Sequence, residues 1–125
     1  MKVNDDARPK ASPIPGIAHI TLASHADGLS ELSVWRQTMS PGAATPPHHH
    51  DCDEVVLCLA GWGEVHSHGQ VQRFGADATL ILPAGRDHQI FNVGPTPLET
   101  IGILAATPVV TRQPDGVELT LPWNS

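Results

Sequence analysis

Twelve prolines and eleven glycines break the 125 residues at such short intervals that no credible long helix fits between them. Proline removes a backbone donor, and glycine weakens a helix interior by about 1 kcal/mol. What lies between the breaks is short, apolar and often alternating, the pattern of an all-β domain. Strands are expected over residues 17–23, 32–39, 54–60, 64–68, 71–74, 79–82, 88–93 and 98–105, with 117–121 closing the structure. Turns are expected at 28–31, Pro41-Gly42, Gly61-Trp62-Gly63, Gly69-Gln70 and Pro83-Ala84-Gly85. Short strands at such regular spacing indicate a sandwich or a barrel. Residues 1–16, polar and proline-containing, are expected as a flexible N-terminal arm and 17–125 as one barrel domain. A chain of this length leaves little room for a second core.

Alternation assigns faces within these strands. Trp35, Gln37 and Met39 share one side, and Val34, Arg36 and Thr38 the other. Trp35 and Met39 read as core, with a cavity wall as the alternative. Gln37 differs, because a buried amide needs partners. It is a candidate catalytic, ligand-contacting or supporting residue. Cys58 has the parity of Glu54 and Val56 and reads as a small apolar filler. Cys52 lies between Asp51 and Asp53, two acids that raise a thiol's pKa, which argues against a nucleophile.

Charge excludes some partners. Seven Lys and Arg residues are scattered among thirteen Asp and Glu, for a net charge of −6. No basic stripe is available for nucleic acid or an anionic membrane. The N-terminus lacks the apolar core of a leader, and no run approaches the ~20 apolar residues of a membrane-spanning helix. Two cysteines six positions apart make no disulfide framework, so a reduced, cytoplasmic setting is expected.

The histidines carry the chemistry. His48 and His50 are two apart and on an extended segment face the same way, while His49 faces the other. Glu54, four further on, keeps that parity, and His88 follows a Pro-x-Gly turn much later. Three imidazoles and a carboxylate suit one divalent transition metal: Fe(II), Mn(II), Ni(II), Co(II) or Zn(II). Four protein ligands leave two positions of an octahedral ion for a substrate or dioxygen. His66 and His68 alternate on one strand but read as surface residues, with no carboxylate spaced to join them. His19 and His25 read as structural. Arg86, just before His88, either binds an anionic substrate at the barrel mouth or is solvated.

These residues resemble the cupin superfamily. Gly42, five residues, His48, one residue, His50, three residues, Glu54, six residues and Gly61 fill every fixed position of its first motif. Five fixed positions, each met at roughly 1 in 20 by chance, are seldom filled by accident. The second motif is similar in Pro83-Ala84-Gly85, two residues, His88, three residues and Asn92. It departs at Asp77, where the family pattern has glycine, and the departure bears on the shape of that turn. The resemblance implies a double-stranded β-helix, or jelly roll, with His48, His50, Glu54 and His88 as metal ligands. It implies local hydrogen bonding for Asn92, and a homodimer formed through exposed strand edges.

A divalent ion less the Glu54 charge leaves the site formally near +1, which favours a small anionic or enolisable molecule chelating through two oxygens. Among the reactions the resemblance allows, dioxygenation ranks first, then isomerisation, lyase or decarboxylation chemistry; Gln37 and Arg86 are the candidate catalytic residues. The alternative is a metal-containing cupin that binds or senses a metabolite without turnover.

Overall fold

The computed structural model describes residues 1–125. Its strands are β1 (Lys10–Ala11), β2 (Ile17–Ala23), β3 (Ser33–Met39), β4 (His49–His50), β5 (Glu54–Ala60), β6 (Trp62–Ser67), β7 (Gln70–Gly75), β8 (Thr79–Leu82), β9 (Gln89–Asn92), β10 (Leu98–Leu104) and β11 (Thr111–Arg112). One 3-10 turn, His25–Asp27, is capped by Ser24 in a capping box. A six-stranded sheet of order β1-β2-β3-β10-β5-β8 faces a three-stranded sheet, β7-β6-β9, and β4 pairs with β11. This is the all-β double-stranded β-helix that the cupin motifs imply. No helix is long and apolar enough to cross a membrane.

The core follows from the alternation. Ile17, Met39, Val56, Cys58, Phe74, Leu80, Leu82, Ile90 and Leu98 form one buried cluster, and Trp35, Leu104 and Val109 a second. Trp35 and Met39 are buried as their parity requires. Asn92 makes the local bonds expected of it: its Nδ2 donates to Met39 O and Thr96 O, and its Oδ1 accepts from Gly94 N.

Four expectations change. Trp62 and Gly63, expected as part of a turn, open β6 and pair with Gly75 and Phe74. The arm assigned to residues 1–16 is not wholly outside the barrel: Lys10 and Ala11 pair with His19 and Ala18, and Ile14 packs against the core. The Ser12 hydroxyl, bonded to Ile17 O at 2.6 Å, holds the turn between β1 and β2. Residues 117–121 do not form a closing strand. Their backbone meets the sheets through a bridge from Glu118 to Arg112 and a bond from Leu119 N to Thr111 O, Leu121 packs against the cluster of Trp35, Leu104 and Val109, and the segment crosses the cavity mouth. The β6–β7 hairpin turns on His68-Gly69, not on Gly69-Gln70. Both residues have positive φ (50° and 75°), as a right-twisted two-residue hairpin demands.

Asp77 takes φ +72°, the conformation of the glycine it replaces in the second motif. Its backbone N–H bonds Cys58 O, so the turn keeps its shape. An L-residue there is strained by about 1–2 kcal/mol, less for Asp, and glycine returns part of the gain as unfolded-state entropy. Asp77→Gly is expected to stabilise the fold by roughly 0.5 kcal/mol, read as a higher urea midpoint at constant m-value.

Candidate metal centre

Pairing outside the main sheets sets the direction of each histidine. His48 and His88 form an antiparallel bridge with bonds of 3.0 and 2.8 Å between their backbones. His50 pairs with Thr111 across β4 and β11. Alternation then turns His48 and His50 inward and His49 outward, where its Nδ1 bonds Asp87 Oδ1 at 2.7 Å. The loop to β5 is held from two sides. Arg112 grips both oxygens of Asp51 at 2.9 and 3.0 Å, and Asp53 accepts from Ala84 N at 2.9 Å. Glu54, first in β5, points inward between Leu82 and Leu104.

Of the four expected ligands, the three histidines form one cluster and Glu54 adjoins two of them. The three histidines place ligand nitrogens within 4.8 Å of one another. Glu54 Oε1 lies 3.4 Å from His88 Nε2 and 3.6 Å from His50 Nε2. Gly102 on β10 makes room, since a Cβ there would stand 3.2 Å from Glu54 Oε2. Each ring is held through its other nitrogen. His48 Nδ1–H donates to Pro46 O at 2.7 Å and His88 Nδ1–H to Arg86 O at 3.2 Å. His50 Nδ1 lies 3.0 Å from Thr111 Oγ1. Carbonyl oxygens only accept, so His48 and His88 carry their protons on Nδ1 and present Nε2 lone pairs. Burial, reinforced by neighbouring His88, lowers His48 and His50 to about 4, leaving both rings neutral at pH 7. His88 Nε2 is buried without a hydrogen-bond partner. An orphaned ring nitrogen among two further imidazoles and a carboxylate fits one divalent transition metal.

The cluster opens into a cavity of about 330 Å³. Its walls are mainly apolar: Ile14, Ile17, Trp35, Met39, Val56 and Ile90 from the barrel, and Leu119, Leu121, Pro122 and Trp123 from the C-terminal segment. Besides the four cluster residues, the polar side chains are Gln37, Thr45, Thr100, Thr111 and Thr120; no further acid or base lines it. Gln37 is therefore at the cavity. Arg86 is exposed and does not line this cavity; it lies along a second groove with Arg73 and Phe74 that His88 also borders. Cys58 is buried in the core rather than along the cavity. His66 is not without a carboxylate: Glu64, two residues away, lies 3.2 Å from it and also binds Arg73, an ion cluster on the barrel's outside. Thr111 and Trp123 escaped the sequence reading, because a two-residue strand and a proline-flanked tail carry no periodicity.

His19 is structural, as expected, and sits in a dense setting. It is 8% exposed and stacks on Trp123 with centroids 3.9 Å apart. Burial lowers it from 6.5 to about 4. The unfolded chain protonates near 6.5 and the native ring does not. His19 therefore contributes its full stabilisation above about pH 6.5 and loses it as pH falls toward 4. His19→Phe is expected to flatten the stability–pH slope in that window by up to about 1.4 kcal/mol per pH unit, the value of one proton. Urea titrations of both proteins at pH 7, 6, 5 and 4.5 measure it.

Barrel topology, motif spacing and a converged histidine–glutamate cluster define a cupin barrel. The family described as "Auxin binding protein" matches residues 4–117, and the chain belongs to it. Auxin-binding protein 1 of Arabidopsis thaliana is 33% identical over 105 residues, covering 76% of this chain and 53% of that protein. Auxin-binding protein T92 of Nicotiana tabacum is 34% identical over 106 residues, covering 75% and 57%. The chain thus spans about half the length of the curated relatives it matches. Among solved structures, the polyketide cyclase RemF from Streptomyces resistomycificus aligns with TM-score 0.74 at 20% identity, over 99% of this chain and 89% of that one. A cupin-superfamily sugar phosphate isomerase from Silicibacter pomeroyi aligns with TM-score 0.74 at 20% identity, over 100% of both chains. At that identity the two structures speak for the fold alone.

Proposed function

We propose that the chain holds one divalent transition metal with His48, His50, Glu54 and His88 and uses it to capture a small apolar carboxylate. The observation that carries this is the unpartnered, buried His88 Nε2 beside Glu54 on the wall of an apolar cavity. The ion, when bound, supplies a Lewis-acidic centre for an anionic oxygen. The chain's own residues do the rest: Trp35, Ile17, Ile90 and Trp123 receive the apolar body and exclude water. That both curated relatives described above are named for binding auxin supports a carboxylate ligand of this kind.

Capture ranks above turnover because no free acid or base lines the cavity, and isomerase, lyase or decarboxylase chemistry needs one. Dioxygenation requires no such side chain and is the second reading; oxygen uptake by Fe(II)-loaded protein with candidate carboxylates tests it. For capture, calorimetry with auxin and phenylacetate is expected to give saturable one-to-one binding that disappears on metal removal. Failure of the metal-loaded protein to bind any such carboxylate would overturn the reading.

A homodimer belongs to the same proposal, through a sheet face rather than strand edges. Register aligns Val34, Ile103, Val55 and Ile81 in one outward row, with Ile101 and Leu57 in the next. Arg36 and Glu99, 3.8 Å apart, are the opposite charges on this face, and Arg36 Nε is buried without a partner. A second copy related by a two-fold axis supplies both apolar cover and the opposite charge. Light scattering is expected to give a dimer at micromolar concentration and a monomer for Ile81→Lys; monomeric wild type refutes it. A reducing, cytoplasmic setting is also part of the proposal and suits the two free cysteines.

A further inference from the structure

We propose that the cleft between β7 and β8 is a second binding site, for a small hydroxyl-rich anion such as a sugar phosphate or sugar acid, with Arg86 as the anchor for its charge and Gln70 and Gln72 as partners for its hydroxyls. The cleft shares only His88 with the metal cavity.

The cleft exists because two strand edges are left unpaired. β7 ends one sheet, β8 ends the other, and no ladder joins them. Cys58 N–H bonds Ala78 O at 2.9 Å. Alternation along the antiparallel pair then turns the backbone groups of Leu80 and Leu82 toward β5 and those of Thr79 and Ile81 into the gap. The gap encloses about 560 Å³, room for a monosaccharide derivative. Its floor is apolar, from Val65, Phe74, Leu80 and Leu82.

β7 carries an inverted pattern. Phe74 is buried in the core, and Gln70 and Gln72 share its parity. Val65, the cross-strand partner of Gln72, packs against the same core. The inward side of β7 thus holds two amides, while Val71 faces solvent at 55% exposure. Packing alone would put apolar side chains inward and a polar one at 71. Neither amide is hydrogen-bonded within the protein, and both line the cleft. Each offers two N–H donors and a carbonyl acceptor, the complement of neighbouring hydroxyls.

Charge completes the match. The chain has thirteen Asp and Glu residues, yet none lines the cleft, so an anion entering it meets no like charge on the walls. Two arginines do line it. Arg73 turns outward to Glu64 Oε2 at 3.0 Å and is neutralised there. Arg86 has no such partner: the adjacent Asp87 is held by His49 at 2.7 Å. A free guanidinium beside two free amides selects an anion that also carries hydroxyls.

Nitrogen-15 NMR titrations of zinc-loaded wild type and of His50→Ala, with glucose 6-phosphate, glucuronate, glucose and inorganic phosphate as probes, test this. Both charged sugars are expected to shift the backbone amides of Gln72, Ile81 and Arg86 saturably in either protein. Glucose and phosphate alone are expected to bind at least about tenfold more weakly. Arg86→Gln should weaken both charged sugars about tenfold, toward glucose, and Gln72→Leu should weaken both toward inorganic phosphate. Four results overturn the inference: no saturable shift of these amides, shifts confined to Thr45 and Thr111 of the metal cavity, phosphate binding as tightly as the charged sugars, or unchanged affinity in Arg86→Gln. His50→Ala lacks a metal ligand, so its titration decides the cleft whether or not the metal reading stands.

Discussion

His50→Ala is expected to lower metal affinity by more than about 100-fold while leaving the barrel folded. Even the outer partners of metal ligands are worth 10–100-fold, and His50 is a direct ligand in this account. Its ring is 2% exposed, its Nε2 lies 3.6 Å from Glu54 Oε1, and Thr111 holds its Nδ1. Alanine removes the nitrogen and leaves a hole beside Glu54 that water can enter. The fold should survive, because β4 is two residues long and its backbone pairing to Thr111 does not need the side chain. Competition with a chromophoric chelator measures the affinity, and far-UV circular dichroism checks the fold. His49→Ala is the control: that ring faces Asp87 on the other side, so its affinity should stay within a few-fold of wild type.

Gly61→Ala is expected to destabilise the protein by about 3 kcal/mol or more, through two separate causes. Gly61 sits at φ +93°, where an L-residue is strained. An added Cβ would also lie 2.5 Å from Pro97 O and 2.9 Å from Leu98 Cα. These are backbone atoms and cannot swing aside. Leu98 has 0% exposure, so a shift there opens the core. The other glycine of the first motif separates the causes. Gly42 has φ +81° but nothing within 4 Å of an added Cβ. Gly42→Ala should therefore cost only the backbone term, about 1–2 kcal/mol. Urea denaturation of the two variants gives the difference, and equal losses would show that the close approach to Pro97 is not what Gly61 serves.

The strands that sequence located to the residue, β2, β5 and β8, are short, largely apolar runs between turn segments, and alternate burial follows most clearly in β5 and β8. That His48, His50, Glu54 and His88 come together was also legible. His48 and His50 keep one parity into Glu54, and His88 follows a turn whose glycine has positive φ. Pieces without periodicity were not legible. β1, β4 and β11 are two residues each, and β4 and β11 exist only through pairing with one another across about 60 positions. The support of His50 by Thr111 spans 61 positions, and the bond from Thr21 to Asn124 spans 103. Nothing local announces either. The tail 117–121 has the apolar content of a strand, yet its side chains serve as a cavity wall, a use that composition cannot separate from sheet pairing. Gln37 and Arg86 show the same limit. Both were candidates by type, and only the fold puts Gln37 at the cavity and Arg86 outside it.

The central claim is that three imidazoles and one carboxylate exist to hold a metal, and elemental analysis of untagged protein tests it most directly. The account predicts close to one divalent transition metal ion per chain in wild type, removed by chelator and restored on titration, with little in His50→Ala. Wild type that carries no transition metal, takes none up after purification and does not differ from His50→Ala would contradict it.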